Sequence, residues 1–159
     1  MANDTARIAE WLQPKHILLD SDARDGVHVL EIAAATIAQA QQLDPAPIFS
    51  ALWRREQARS TGLGDGFAIP HARISDIATP ITLFMRTKVG IEFHAPDGKP
   101  VSQLLVIMVP ADGAKQDHLD LLALVAQLFS SHEFRKRLTS AADTKAAAEV
   151  FRAGVAEIT

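Results

Sequence analysis

The chain contains no cysteine. Disulfides, cysteine-ligated zinc, iron–sulfur clusters and a thiolate nucleophile are thereby excluded. A reducing, cytoplasmic setting is expected. The opening Met1-Ala2-Asn3-Asp4-Thr5 has no basic segment followed by an apolar run, so no signal peptide is expected. The longest apolar stretch of the second half, Leu104 to Pro110, is far short of the roughly 20 residues a membrane span requires, so no membrane insertion is expected. Charge of one sign is also missing. The formal net charge is −3, which leaves no basic field for nucleic acid or anionic lipid and no acidic tail. The densest basic run, Arg135-Lys136-Arg137, reads as a solvated helix face. Repeats, low-complexity tracts and Gly/Ser linkers do not occur.

What is present is ordinary globular material. Apolar residues make up 48% and charged residues 22% of 159 residues, a length near the mode for one domain. We expect a single domain over residues 1–159, with an ordered core from about 8 to 155. Ile8, Trp11 and Leu12 share one face of a short helix that Pro14 closes. His16-Ile17-Leu18-Leu19 reads as a short strand. Val27, Leu30, Ala34 and Ile37 form a helical stripe. Asp44-Pro45 starts a helix running to about Gln57. Phe67 to Ile69, Ile81 to Arg86 and Val101 to Val109 read as strands, with a turn at Asp97-Gly98. Leu119, Leu122, Val125, Ala126 and Phe129 predict a helix from about Gln116 to Ser130. Phe134 and Leu138 share a shorter one. Asp143 caps a last helix carrying Ala147, Val150 and Phe151. Strands and helices are intermixed, so the class is α/β, with helices packed on a mixed sheet.

The unusual stretch is Ser60 to His71, in which Gly62, Gly64 and Gly66 alternate. Such spacing excludes a helix and makes a poor strand interior. It reads as a tight loop whose inward-facing amides form an anion-attracting nest. Pro70 fixes its own φ and pushes Ile69 towards extended geometry, so His71 is presented from a rigid strand end. A neutral imidazole is a good nucleophile near pH 7. The residues alone leave a second reading open, in which His71 is a surface or structural histidine. The glycines do not form a Walker loop, because no Gly-Lys-Ser/Thr follows. They do not form a dinucleotide fingerprint either, because a helix rather than a strand precedes them. His71, His94 and His118 together could hold zinc. Their spacings of 23 and 24 include no short pair, and no metal or cofactor is expected.

The run Arg55-Glu56-x-x-x-Ser60-Thr61-Gly62-Leu63-Gly64-x-Gly66-x-Ala68-Ile69-Pro70-His71 resembles the signature of the enzyme IIA domains of the fructose/mannitol class in the phosphoenolpyruvate phosphotransferase system. The nitrogen-regulatory branch is the nearest match. The resemblance begins near Pro14-x-x-Ile17-Leu18-Leu19-Asp20. It continues through Leu105-x-x-x-Val109-Pro110-Ala111-Asp112 and His118-Leu119-x-x-Leu122. It implies a single domain with a mixed β-sheet flanked by helices on both faces and a site at the sheet edge. It implies that His71 is the phosphorylated residue, that Arg55 is the active-site arginine and that His118 is a second active-site histidine. The alternatives for Arg55 and His118 are a surface ion pair and a polar first-turn residue. Ala72-Arg73 stands where many relatives have glycine and then a basic residue. Phe67 stands where a smaller aliphatic is often seen.

The resemblance further implies a phosphoryl carrier rather than a turnover enzyme acting on a small substrate. Its donor would be an HPr-like phosphocarrier protein, and its targets proteins such as potassium-transport components or sensor kinases. A sugar-transport enzyme IIA that passes phosphate to a separate IIB protein is the first alternative. A non-catalytic binding module is the second.

Overall fold

In the computed structural model, residue 12 and residues 14–158 are described. The expected helix face of Ile8 and Trp11 lies outside the described residues; Leu12 is buried. The chain resolves into two compact units. Leu18–Ala111 form one, and the described residues before and after that range form the other.

The first unit is built on a mixed sheet. Its strands are β1 (Ile17–Ser21), β2 (Gly62–Gly64), β3 (Phe67–Ala68), β4 (His71–Ile74), β5 (Ile81–Ile91) and β6 (Val101–Pro110). The order is β1-β5-β6-β3-β2, with β4 also paired to β6. β5 and β6 are antiparallel, whereas β3 and β4 both run parallel to β6. Phe67↔Gln103 and His71↔Ile107 share one register, so residues 67–74 are one edge path interrupted at Ile69-Pro70. Pro70 has no N–H to give, but its carbonyl accepts the Ile107 N–H at 2.9 Å, which carries the ladder across the gap.

Two helices belong to this unit. Helix α1 (Gly26–Gln41) starts at Asp25, whose extended backbone lets its side chain accept the His28 N–H. It ends at Gln42 in the left-handed region, a common helix stop. Helix α2 (Pro45–Ala58) is capped by Asp44 with proline at its first position. Val29, Leu30, Ala33 and Ile37 of α1 and Ile48 and Leu52 of α2 form one core with Leu83, Met85, Leu104, Val106 and Met108 of the sheet. Residues alternate across a pleated strand. Ala72 and Ile74 therefore join that core, while His71 and Arg73 point to the opposite face.

The second unit holds α3 (Lys115–Ser130), α4 (His132–Ser140) and α5 (Thr144–Glu157). Ser131 and Asp143 cap α4 and α5 by accepting the N–H groups of Phe134 and Ala146. The expected helices are all present here, but the buried face of α3 differs in phase from the expected stripe. Leu121, Val125, Leu128 and Phe129 are buried, while Leu119 is 59% exposed. Apolar residues nearly encircle Leu119 to Phe129, so spacing alone does not select the face. Phe129, Phe134 and Phe151 meet edge-on, with centroids 5.3, 5.4 and 6.2 Å apart. Among the described residues, no helix is long and apolar enough to cross a membrane.

Candidate functional site

The glycine stretch folds as a hairpin, not as an open nest. β2 and β3 are antiparallel, with Gly62 opposite Ala68 and Gly64 opposite Phe67. Asp65 and Gly66 make the two-residue turn, with φ of 56° and 87°, the positive pair that a type I′ turn requires. Gly62 must be glycine for a different reason: a Cβ there would lie 2.8 Å from the Ala95 Cβ. Three loop amides are already engaged. Thr61 donates to Glu56, Gly62 to the Ser60 hydroxyl and Asp65 to the Asp97 carboxylate. The expected inward nest is corrected on this point, because side chains of the protein itself take those donors.

His71 opens β4 and is half-buried. Its Nδ1 lies 2.8 Å from the Ile69 carbonyl. A carbonyl can only accept, so Nδ1 carries the proton in this contact. The neutral ring then keeps its lone pair on Nε2. Burial first, and the positive charge of Arg55 second, push the imidazole below its ordinary value of 6.5; the bond to Ile69 opposes them. The result is a histidine held neutral near pH 7, with its tautomer set by backbone.

Arg55 lies in the last turn of α2, and its Nη1 donates to the Arg59 carbonyl at 2.7 Å. It thus caps its own helix end, where carbonyls lack partners. The structure brings it close enough to His71 for its charge to act on the ring. Sequence reasoning gave the neighbouring Glu56 no role. Its carboxylate accepts both the N–H and the hydroxyl of Thr61, each at 2.7 Å. Burial raises its pKa, against the lowering effect of those two bonds, of Arg55 and of a bond from the Ser60 side chain.

His118 is in the other unit, on the first turn of α3, and is partly buried. His94 is exposed in the left-handed region, its N–H donating to Glu92 at 2.8 Å. Among the described residues, no group of three His, Cys, Asp or Glu is placed to hold a metal ion. A cavity of about 580 Å³ in the first unit is lined by Asp25, Trp53, Glu56, Glu92, Phe93 and His94, among others, but not by His71.

The sequence pattern of the phosphoenolpyruvate-dependent sugar phosphotransferase system EIIA 2 family matches residues 10–154. The chain belongs to this family. It is 36% identical over 141 residues to a nitrogen regulatory protein of Pseudomonas aeruginosa, covering 88% of this chain and 91% of that one. The crystal structure of nitrogen regulatory protein IIA-Ntr from Neisseria meningitidis superposes with a TM-score of 0.85 at 34% identity, over 91% and 99% of the two chains. IIA mannitol from Escherichia coli shares the fold, with a TM-score of 0.71 at 16% identity over 86% and 96%. Membership of the EIIA 2 family accounts for the α/β architecture read from the sequence.

Proposed function

We propose that this protein is a phosphocarrier of the nitrogen-regulatory branch, accepting a phosphoryl group on Nε2 of His71 from an HPr-like phosphohistidine protein. The observation that carries the proposal is the Nδ1–H bond to the Ile69 carbonyl, because it leaves the far nitrogen unprotonated. In the transfer, the Nε2 lone pair forms the new N–P bond. The donor's N–P bond breaks, and its electron pair returns to the donor imidazole. Such transfers depend on in-line placement and charge neutralisation more than on proton movement. Arg55 would supply the cation. For His118, a second participant in the transfer, the proposal rests on the resemblance of its segment. The nitrogen-branch assignment draws on the names of the relatives above 30% identity. Regulation would follow from the roughly two negative charges that a phosphoryl group adds.

The test is incubation with phosphoenolpyruvate, enzyme I and an HPr-type carrier. Wild-type protein should take up acid-labile, base-stable phosphate, and His71→Ala should take up none. Undiminished labelling of His71→Ala would sink the proposal. Onward transfer from His71 to a IIB cysteine would instead favour the sugar-transport reading.

A further inference from the structure

Glu56 is a half-buried acid to which the transfer reading assigns no task. A carboxylate is costly to bury, and an apolar or amide side chain would fill the same space without that cost. Both of its oxygens bond Thr61, and the Ser60 side chain adds a further bond to the carboxylate. Oε2 accepts the Thr61 N–H and Oε1 accepts the Thr61 hydroxyl. The Thr61 carbonyl in turn accepts the Ile69 N–H at 3.1 Å. The Ile69 carbonyl accepts the Nδ1–H of His71 at 2.8 Å. Three contacts therefore lead from the end of α2 to the imidazole. Pro70, between the last two residues, stiffens the route by fixing its own φ.

Other ties hold the hairpin elsewhere. Ser60 donates to the Phe93 carbonyl at 2.8 Å, and Asp97 accepts the Asp65 N–H at 2.9 Å. Neither of these two bonds includes Thr61, the residue whose carbonyl accepts the Ile69 N–H. Glu56 grips that residue by main chain and side chain together, and so limits its rotation as well as its position.

We propose that Glu56 is a positioning residue for His71: by clamping Thr61 it fixes the Ile69 carbonyl that selects the Nδ1–H tautomer. The lone pair is thereby aimed from Nε2. The inference deepens the acceptor reading of His71 and rests on it. Glu56 itself touches neither the ring nor the phosphoryl group, so its effect must pass through the geometry of the loop.

The experiment uses the full chain with Glu56→Ala, Glu56→Gln and Thr61→Val, and has two readouts. One is the His71 ring tautomer from its ¹⁵N shifts at a pH where the ring is neutral. The other is the initial rate of labelling from a phosphorylated HPr-type carrier. In Glu56→Ala the ring should become a mixture of tautomers and the rate should fall about 10- to 100-fold, the scale of a misplaced reactant. Glu56→Gln, which keeps one acceptor oxygen, should recover part of both. Thr61→Val removes only the hydroxyl arm and should give a smaller shift in the same direction. Wild-type tautomer and rate in Glu56→Ala and Thr61→Val overturn the role of Glu56 alone. A slower rate with an unchanged tautomer overturns it too. If Glu56→Ala does not fold, Thr61→Val decides by the same criteria. Labelling that survives His71→Ala overturns the acceptor reading instead, which keeps the two failures distinguishable.

Discussion

Residues 18–111 place their loops with polar ties, whereas residues 112–158 are ordered by apolar volume. In the first region, Glu56, Ser60 and Asp97 each hold a backbone N–H of the hairpin. In the second, three phenylalanine rings meet edge-on at 5.3 to 6.2 Å. The glycines divide the same way. Gly64 and Gly66 have φ of 93° and 87° and serve a turn. Gly154 is helical and is there because of its size: a Cβ would lie 2.8 Å from both Leu128 Cδ1 and Phe134 Cδ2. Hydrogen bonds are directional and can aim a ring. Apolar contacts are not, and they set stability more than direction.

This contrast can be broken or sharpened by substitution. The largest effect should come from Phe151→Ala, which empties the ring cluster and should cost about 3–5 kcal/mol in thermal or denaturant unfolding. A loss below about 1 kcal/mol would mean that the rings are not what orders their region. Next is Arg55→Ala in the first region. It should slow phosphoryl acceptance about 10- to 100-fold, by removing one charged contact worth about 1.5–3 kcal/mol. Stability should change far less, since the lost contact is a helix-end tie. Gly154→Ala comes third. Helix propensity favours alanine by about 1 kcal/mol, but the collision with Leu128 and Phe134 should cost about 1–3 kcal/mol. Net destabilisation is therefore expected in a melting curve, and a stabilised variant would show that the cluster yields readily.

The smallest effect is in pH dependence. The His71 imidazole is held below 6.5 by burial and by Arg55. The acid limb of the labelling rate should therefore have its midpoint below that value, and Arg55→Ala should move it upward. The same depression makes a contribution to folding that is intact above pH 6.5. It is lost as pH falls from there through the folded-state value, because the unfolded chain then binds the extra proton. In urea titrations across that window, His71→Ala should lack this part of the pH slope.

Much of the fold could be read directly from the chain. Asp25, Asp44, Ser131 and Asp143 all cap helices, and the second and fourth stand where sequence signals put helix starts. The apolar run at β6 is a strand, as expected, and it lies in the sheet interior. The hairpin at Gly62–Ala68 was missed, although Asp65-Gly66 is itself a hairpin-turn signal. Alternating glycines outweighed it, because glycine weakens a strand interior. β4 was missed because its four residues follow a proline and alternate for too short a distance. The phase of α3 was misread because its apolar residues are not confined to one stripe.

At the candidate site, the sequence singled out His71 and Arg55 through their residue types and motif. The structure adds the short-range geometry between Ile69 and His71 and the reach of Arg55's charge. Glu56 was invisible as a participant. An acid near a helix end reads as solvated until the chain returns five residues later to bring Thr61 against it.

Local patterning alone determined the α/β class, most element positions, the lack of thiol chemistry and the histidine that closes the glycine motif. These follow from propensity, capping and composition, which act between near neighbours in the chain. Tertiary structure decided which nitrogen of His71 carries the proton, what occupies the loop amides and which side of α3 is buried. Those depend on atoms brought together by folding, and on burial that no short window of sequence contains.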